Sequence, residues 1–257
     1  MEKTEFQKDN LRVRVYEKSE EIAKAAAEFV SDKIDMAINN KGVANIVLGT
    51  GASQLAFVKY LQEQKINWSR VVVFHLDEYQ GMPETHPASF RKYLKERIVE
   101  KVNPKMVFYL NGDAPDPEKE SLRYAKLLKE HPLDVACIGI GENGHLAFND
   151  PPVADFNDPR LVKVVELDEA CRNQQLGEGW FPTLEDVPSH ALTLTIPAIM
   201  ASKAISCLVP DERKAKAVYN ALNMEISTAC PATILRKHPN AILFLDSHSS
   251  LLLKGFK

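Results

Sequence analysis

The chain has 257 residues, of which 45% are hydrophobic and 26% charged, enough to bury one large core. With 32 basic against 35 acidic residues the formal net charge is −3, which argues against a broad basic surface for nucleic acid or an anionic membrane. In chain order, residues 12–16 (RVRVY) read as a short strand, and residues 19–38 place Ile22, Ala26, Phe29, Ile34 and Ile38 on roughly one helical face. Residues 44–49 (ANIVLG) form a continuous apolar strand that turns directly into a helix at TGASQLAFVKYLQEQ. RVVVFHL (70–76) is the next strand, followed by a loop and a helix over 88–102. MVFYL (106–110), a helix over 117–129 and LDVACIG (133–139) continue the alternation. Beyond them come HALTLTI, a short helix, AISCLV (204–209), a helix over 211–222 and AILFLD (241–246).

Strands apolar on both faces, alternating with amphipathic helices, predict a mostly parallel sheet covered on both sides. Right-handed crossovers make this a three-layer, doubly wound α/β fold of the Rossmann-like kind. No repeat, low-complexity tract or long linker divides the chain, so residues 1–257 read as a single domain. Residues 149–188, rich in Pro, Asp, Asn and Gly, break the rhythm and read as a lid or inserted segment. No segment approaches the roughly 18 apolar residues of a membrane span. Cys137, Cys171, Cys207 and Cys230 lie far apart, and Cys137 and Cys207 sit inside apolar runs, so disulfides are not expected. The expectation is a soluble protein of a reducing compartment, most simply the cytoplasm.

The polar motifs fall where strands end. LGTGASQ (48–54) closes a strand and opens a helix, with glycines that let a ligand approach and free N–H groups suited to an anion. It lacks GK[ST] and is not GxGxxG, which disfavours a nucleotide and leaves phosphate binding balanced against a plain tight turn. In FHLDEYQGMPETHPASF (74–90), Asp77 and Glu78 directly follow a strand, and their side chains point to opposite sides, so only one faces a ligand. GIGENGHLAFNDPP (139–152) follows another strand, with His145 between Gly144 and a short apolar turn and with Asn143 and Asp150 nearby. A carboxylate beside an imidazole fixes its tautomer, which is acid–base equipment, and no three-ligand metal spacing is evident. VPDERKAKAV (209–218) sets Lys214 about one turn inside a helix, as either a phosphate anchor or a solvated charge.

Together these segments resemble the glucosamine-6-phosphate deaminase (isomerase) family. LGTG, LDEYQG, HPASF, GIGENGHLAFNDP and VPDERKAKAV match its order and spacing across roughly residues 40–245, and LDEY combined with NGHxAFN is the specific part. The resemblance implies conversion of a 2-amino-2-deoxyhexose 6-phosphate and water into a ketohexose 6-phosphate and ammonia, without a cofactor. For glucosamine 6-phosphate the product is fructose 6-phosphate. It implies that Asp77 moves a proton from C2 to C1 and that His145, with Asn143 and Asp150 as companions, assists ring opening. Gly49, Thr50, Gly51, Ser53 and Lys214 would hold the phosphate. Asp150 stands where Glu is common, one methylene shorter, and Asn143 where some members carry Asp. The family's substrate arginine has no direct counterpart: Gln175 takes the apparent equivalent position, and Arg172, about one turn earlier, is the substitute contact.

The expected partner is therefore a small hexosamine 6-phosphate, with no nucleic acid or membrane, and exposed helix faces fit either a monomer or a homo-oligomer. Two alternatives remain. A 6-phosphogluconolactonase shares the fold, but typically carries a DER-type motif and a GHTASLFP-type stretch where this chain has DEY and GHLAFNDP. A catalytically silent sugar-phosphate-binding protein should have lost Asp77 or His145, and both are present.

Overall fold

The fully apolar run ANIVL extends as a central strand because both of its faces are buried: Ile46 and Leu48 point into one core, Val47 into the other. The same division recurs at Val71 and Val73 against Val72 and Phe74, and at Val135 and Cys137 against Ala136 and Ile138. Such strands need a cover on each side. The computed structural model describes residues 2–253. From the N-terminus run β1 (Glu2–Lys8), β2 (Leu11–Tyr16), α1 (Ser19–Lys41), β3 (Ala44–Leu48), α2 (Leu55–Glu63), β4 (Val71–His75) and β5 (Asp77–Tyr79). Next, α3 (Phe90–Leu94) passes through a π turn into α4 (Glu100–Val102), followed by β6 (Met106–Phe108), α5 (Pro117–Glu130) and β7 (Val135–Ile138). The last third holds β8 (Val162–Glu166), α6 (Glu169–Gly177), β9 (His190–Leu194), α7 (Ile196–Met200), β10 (Ala204–Val209), α8 (Ala215–Asn223) and β11 (Ala241–Leu245).

The main sheet has the order β1-β2-β11-β10-β7-β3-β4-β6. Every neighbouring pair is parallel except β1 with β2. From β3 the chain moves outward through β4 and β6, then returns to place β7 on the other side of β3 and continues through β10 and β11. The winding direction therefore reverses between β3 and β7, the place where open α/β sheets form a ligand crevice. One core packs residues of α1 and α2 against the sheet, and the other packs residues of α5 and α8 against its opposite face. Burying a side chain such as Phe74 fully contributes about 1.5–3 kcal/mol.

One expectation needs correction. HALTLTI does not extend the main sheet: β9 pairs antiparallel with β5 and β8 in a separate three-stranded sheet, order β5-β9-β8. Residues 149–188, the segment that breaks the rhythm of the sequence, supply β8 and α6. The charged N-terminal stretch, given no element from the sequence, forms β1, the antiparallel edge of the main sheet. Among the described residues no helix is long and apolar enough to cross a membrane.

Candidate active site

Four strand ends of the main sheet and α6 converge on one crevice at the switch point. The β3 end supplies Gly49, Thr50, Gly51 and Ser53, and the Gly49 amide donates to the Cys137 carbonyl at 2.8 Å, tying this loop to β7. Gly51 has φ +100°, a conformation that side chains rarely adopt, and this aims the following 3₁₀ turn (Ala52–Gln54) into α2. Ser53 Oγ accepts from Gln54 Nε2 at 3.2 Å, and the Tyr93 hydroxyl donates to the Gly51 carbonyl at 3.3 Å.

Lys214 reaches the same crevice from the β10 side. It is not one turn inside a helix: it ends the 3₁₀ turn Glu212–Lys214 and is the N-cap of α8. That turn is set by Asp211 (φ 84°), whose carboxylate accepts from the Arg213 amide at 3.0 Å. Only 6% exposed, Lys214 has its ammonium 3.9 Å from Glu142 Oε1. Burial pushes its pKa down, against the upward pull of Glu142 and Glu178.

The two adjacent carboxylates part as their strand geometry requires. Glu78 is fully buried and accepts from Ser89 Oγ at 2.9 Å, the Phe90 amide at 3.2 Å and the Arg91 amide at 3.0 Å, which fastens the start of α3. Asp77 faces the crevice, 6% exposed, and its Oδ1 has no hydrogen-bond partner. Burial, and secondarily the neighbouring Glu78, pushes its pKa up to about 8. A carboxylate buried without a donor is poised to accept a proton.

Beyond β7, the His145 imidazole also lines the crevice. Its Nδ1 lies 2.8 Å from Asp150 Oδ1, and Asn143 Nδ2 donates to the same oxygen at 2.7 Å. Asn143 Oδ1 in turn accepts the His145 amide at 3.0 Å, closing a loop of contacts around the carboxylate. Burial pushes the Asp150 pKa up, but the hydrogen bonds from His145 and Asn143 outweigh it and hold it below the usual range. Asn143 is not one of the residues that line the crevice; it supports Asp150. Gly141 is required by contact, because a Cβ there would lie 2.1 Å from His145 Nε2. Ala147, at φ 52°, is held in a strained turn by Asn149, whose Nδ2 donates to the carbonyls of Leu146 and Leu194 at 2.9 and 2.8 Å.

Gln175, at the family's arginine position, lines the crevice together with Gln174 and Glu178, which the sequence did not single out. The tentative contact Arg172 does not. Its guanidinium is turned to the Leu184 carbonyl at 2.6 Å. The polar run QQLGE is the signal in the sequence for the residues that face inward. The structure also brings Cys171 beside His145 and Asp150, with one donor atom of each within 4.8 Å of the others, a grouping that the sequence spacing concealed. It is the one place among the described residues where three such side chains of this kind could hold a metal, although His145 and Asp150 already bond to each other.

Similarity to known proteins follows the same segments. Residues 17–244 match the family of glucosamine-6-phosphate isomerases/6-phosphogluconolactonase. The glucosamine-6-phosphate deaminase of Bacillus cereus (strain B4264) is 34% identical over 239 residues, covering 93% of this chain and 88% of that protein. A solved monomeric glucosamine-6-phosphate deaminase superposes with a TM-score of 0.85 at 30% identity, covering 93% of this chain and 99% of the other. The 6-phosphogluconolactonase of Thermotoga maritima superposes with a TM-score of 0.72 at 21% identity over 91% of this chain and 98% of its own, which shows a shared fold. With its motifs on the crevice and its match across residues 17–244, this chain belongs to the glucosamine-6-phosphate isomerase/6-phosphogluconolactonase family.

Proposed function

We propose that the protein is an enzyme that converts a 2-amino-2-deoxyhexose 6-phosphate and water into a ketohexose 6-phosphate and ammonia. The observation that carries this reading is the single crevice in which an unpaired buried carboxylate, Asp77, and a carboxylate-bonded imidazole, His145, meet an anion cradle ending in Lys214. The deaminase relatives at 34% and 30% identity support it.

The loop 49–53 and Lys214 take the phosphate, which fixes the sugar along the crevice and makes the proton transfers effectively intramolecular. His145, oriented by Asp150 and Asn143, moves the proton from the anomeric hydroxyl to the ring oxygen, so that the C1–O5 bond opens to an aldehyde. Asp77 then removes the proton at C2 and delivers it to C1, while a proton passes from the C2 nitrogen to the C1 oxygen. The resulting imine at C2 adds water and expels ammonia. Each positioned proton transfer is worth about 10²–10⁴ in rate. A substrate ammonium at C2 supplies the positive partner that Asp77 lacks, and so favours the ionised carboxylate that the base needs. A neutral lactone offers no such partner. Residues 149–188 act as the cover of this crevice, within one α/β domain.

The direct test offers glucosamine 6-phosphate and galactosamine 6-phosphate, with ammonia and ketose phosphate both measured, beside hydrolysis of 6-phosphogluconolactone. Ammonia and ketose phosphate in equal amounts are expected. Lactone hydrolysis without ammonia release would reject the proposal in favour of the hydrolase.

A further inference from the structure

Asp77 stands in register with two other polar residues. Across the small sheet it pairs with Thr193 of β9, and Thr193 pairs in turn with Lys163 of β8. Directly opposed residues of antiparallel strands project from the same face, so carboxylate, threonine and lysine form one row. All three are buried, Thr193 completely.

The row grips the segment that follows His145 at two points. Thr193 Oγ1 accepts the Phe148 amide at 3.1 Å and donates to the Leu194 carbonyl at 3.2 Å. Lys163 Nζ donates to the Val153 carbonyl at 2.6 Å and lies 3.2 Å from Asp158 Oδ2. Between these anchors runs the turn that carries Asp150, whose own carbonyl accepts the amides of Val153 and Ala154 at 2.9 and 2.8 Å. Phe148 follows Ala147, the residue with φ 52°, and both line the crevice. A buried lysine–carboxylate pair adds little net stability over apolar side chains of equal volume, so what this pair supplies is a position.

We propose that Thr193 and Lys163 are positioning residues. They fasten both ends of the Asp150 turn to the strand row that bears Asp77, and so set where the His145 imidazole stands relative to the base. This rests on the hexosamine 6-phosphate reading. Neither residue lines the crevice, and each acts through Asp150. A misplacement of about 1 Å in a reacting group costs about 10² in rate. The phosphate cradle follows β3 and β10 of the main sheet, and keeps its geometry when the turn slips.

The test uses the full chain. Thr193→Val keeps the shape but leaves the Phe148 amide without its acceptor, and Thr193→Ser restores the hydroxyl. Lys163→Met combined with Asp158→Asn releases the Val153 carbonyl without stranding a buried charge. Ammonia release from the cyclic hexosamine 6-phosphate is normalised to the binding-competent fraction. That fraction is counted by calorimetric titration with an unreactive ligand, the reduced 2-amino-2-deoxyhexitol 6-phosphate. In Thr193→Val, kcat should fall about tenfold or more, while KM and affinity for the hexitol stay within about twofold. Thr193→Ser should recover most of the loss, and the lysine double variant should show the same split between kcat and KM. Enolisation in the reverse direction, from ketose phosphate and ammonia, should fall less in both, because Asp77 stays on its strand. If Thr193→Val does not fold, the lysine arm carries the same comparison. An unchanged normalised kcat, or equal losses in the two directions, overturns the proposal and leaves the row as scaffold. Wild-type turnover beside either result defeats the positioning role alone, and a wild type that releases no ammonia defeats the substrate reading along with it.

Discussion

Both ends of the main sheet bury a carboxylate, and the two are treated in opposite ways. At the amino edge, Asp134 is 3% exposed and held by two cations: Lys41 Nζ lies 2.8 Å from Oδ2, which also accepts the Asn45 amide at 2.8 Å, and Lys203 Nζ lies 3.0 Å from Oδ1. At the carboxyl edge, Asp77 is 6% exposed and its Oδ1 has no donor. The first arrangement holds β3, β7 and β10 in register; the second keeps a proton acceptor in reserve. Equal burial thus carries different meaning, and the partner count separates structure from chemistry.

The sharpest way to break this contrast is Asp77→Asn. Turnover should fall by at least about 10², while affinity for the amino-hexitol phosphate stays within a fewfold. Wild-type ammonia release by the variant would remove Asp77 from the chemistry. Next in size, His145→Gln should slow reaction of the cyclic hexosamine phosphate by about 10², yet spare enolisation when open-chain ketose phosphate and ammonia are supplied in the reverse direction. Equal losses on both substrates would leave His145 without a role in ring opening.

Lys214→Ala should raise KM about tenfold or more with a smaller fall in kcat, because a charged anchor acts alike on substrate and transition state. Unchanged affinity for a 6-phosphate ligand would make it an ordinary buried lysine. At the opposite edge, Asp134→Ala should cost about 1–3 kcal/mol of stability in urea unfolding, since it strands the buried Asn45 amide, and should leave kcat of the folded enzyme unchanged.

The last effect is a pH slope. Asp77 has a folded pKa raised to about 8, from an ordinary value of 3.8. Between those values the folded state binds more protons than the unfolded one, so this group's contribution to stability is present at low pH and is lost as pH rises. Thermal unfolding of Asp77→Asn against wild type should show the variant gaining relative stability from about pH 4 to about pH 8. A difference independent of pH would mean that Asp77 is ionised throughout in the free enzyme.

Most of the main sheet was legible because its strands are short apolar runs separated by amphipathic helices, a local pattern. The small sheet was not, because β5 is only three residues long and pairs with β9 more than a hundred positions away, at Asp77 with Thr193 and Tyr79 with Ala191. Nothing local marks such a pairing. The opposed directions of Asp77 and Glu78 followed from strand alternation alone, as did the placement of all the motifs at strand ends. What escaped was the rest of the α6 wall, Gln174 and Glu178: a polar side chain that lines a crevice looks, in sequence, like one that faces water.

All four cysteines are buried as free thiols, yet they sit at different depths of the architecture. Cys137 and Cys207 pair with one another's strands, β7 and β10, at the centre of the sheet. Cys171 is carried by α6, and Cys230 packs behind Gly144, where an added Cβ would come within 2.6 Å of its sulfur. The chain thus contains a built-in clock for its own breathing. A thiol reagent should reach Cys137, Cys207 and Cys230, which belong to the two cores of the main sheet, only through global unfolding, and Cys171, in the separate cluster of α6 and the small sheet, when α6 lifts, so the labelling rates time that wall separately from the scaffold.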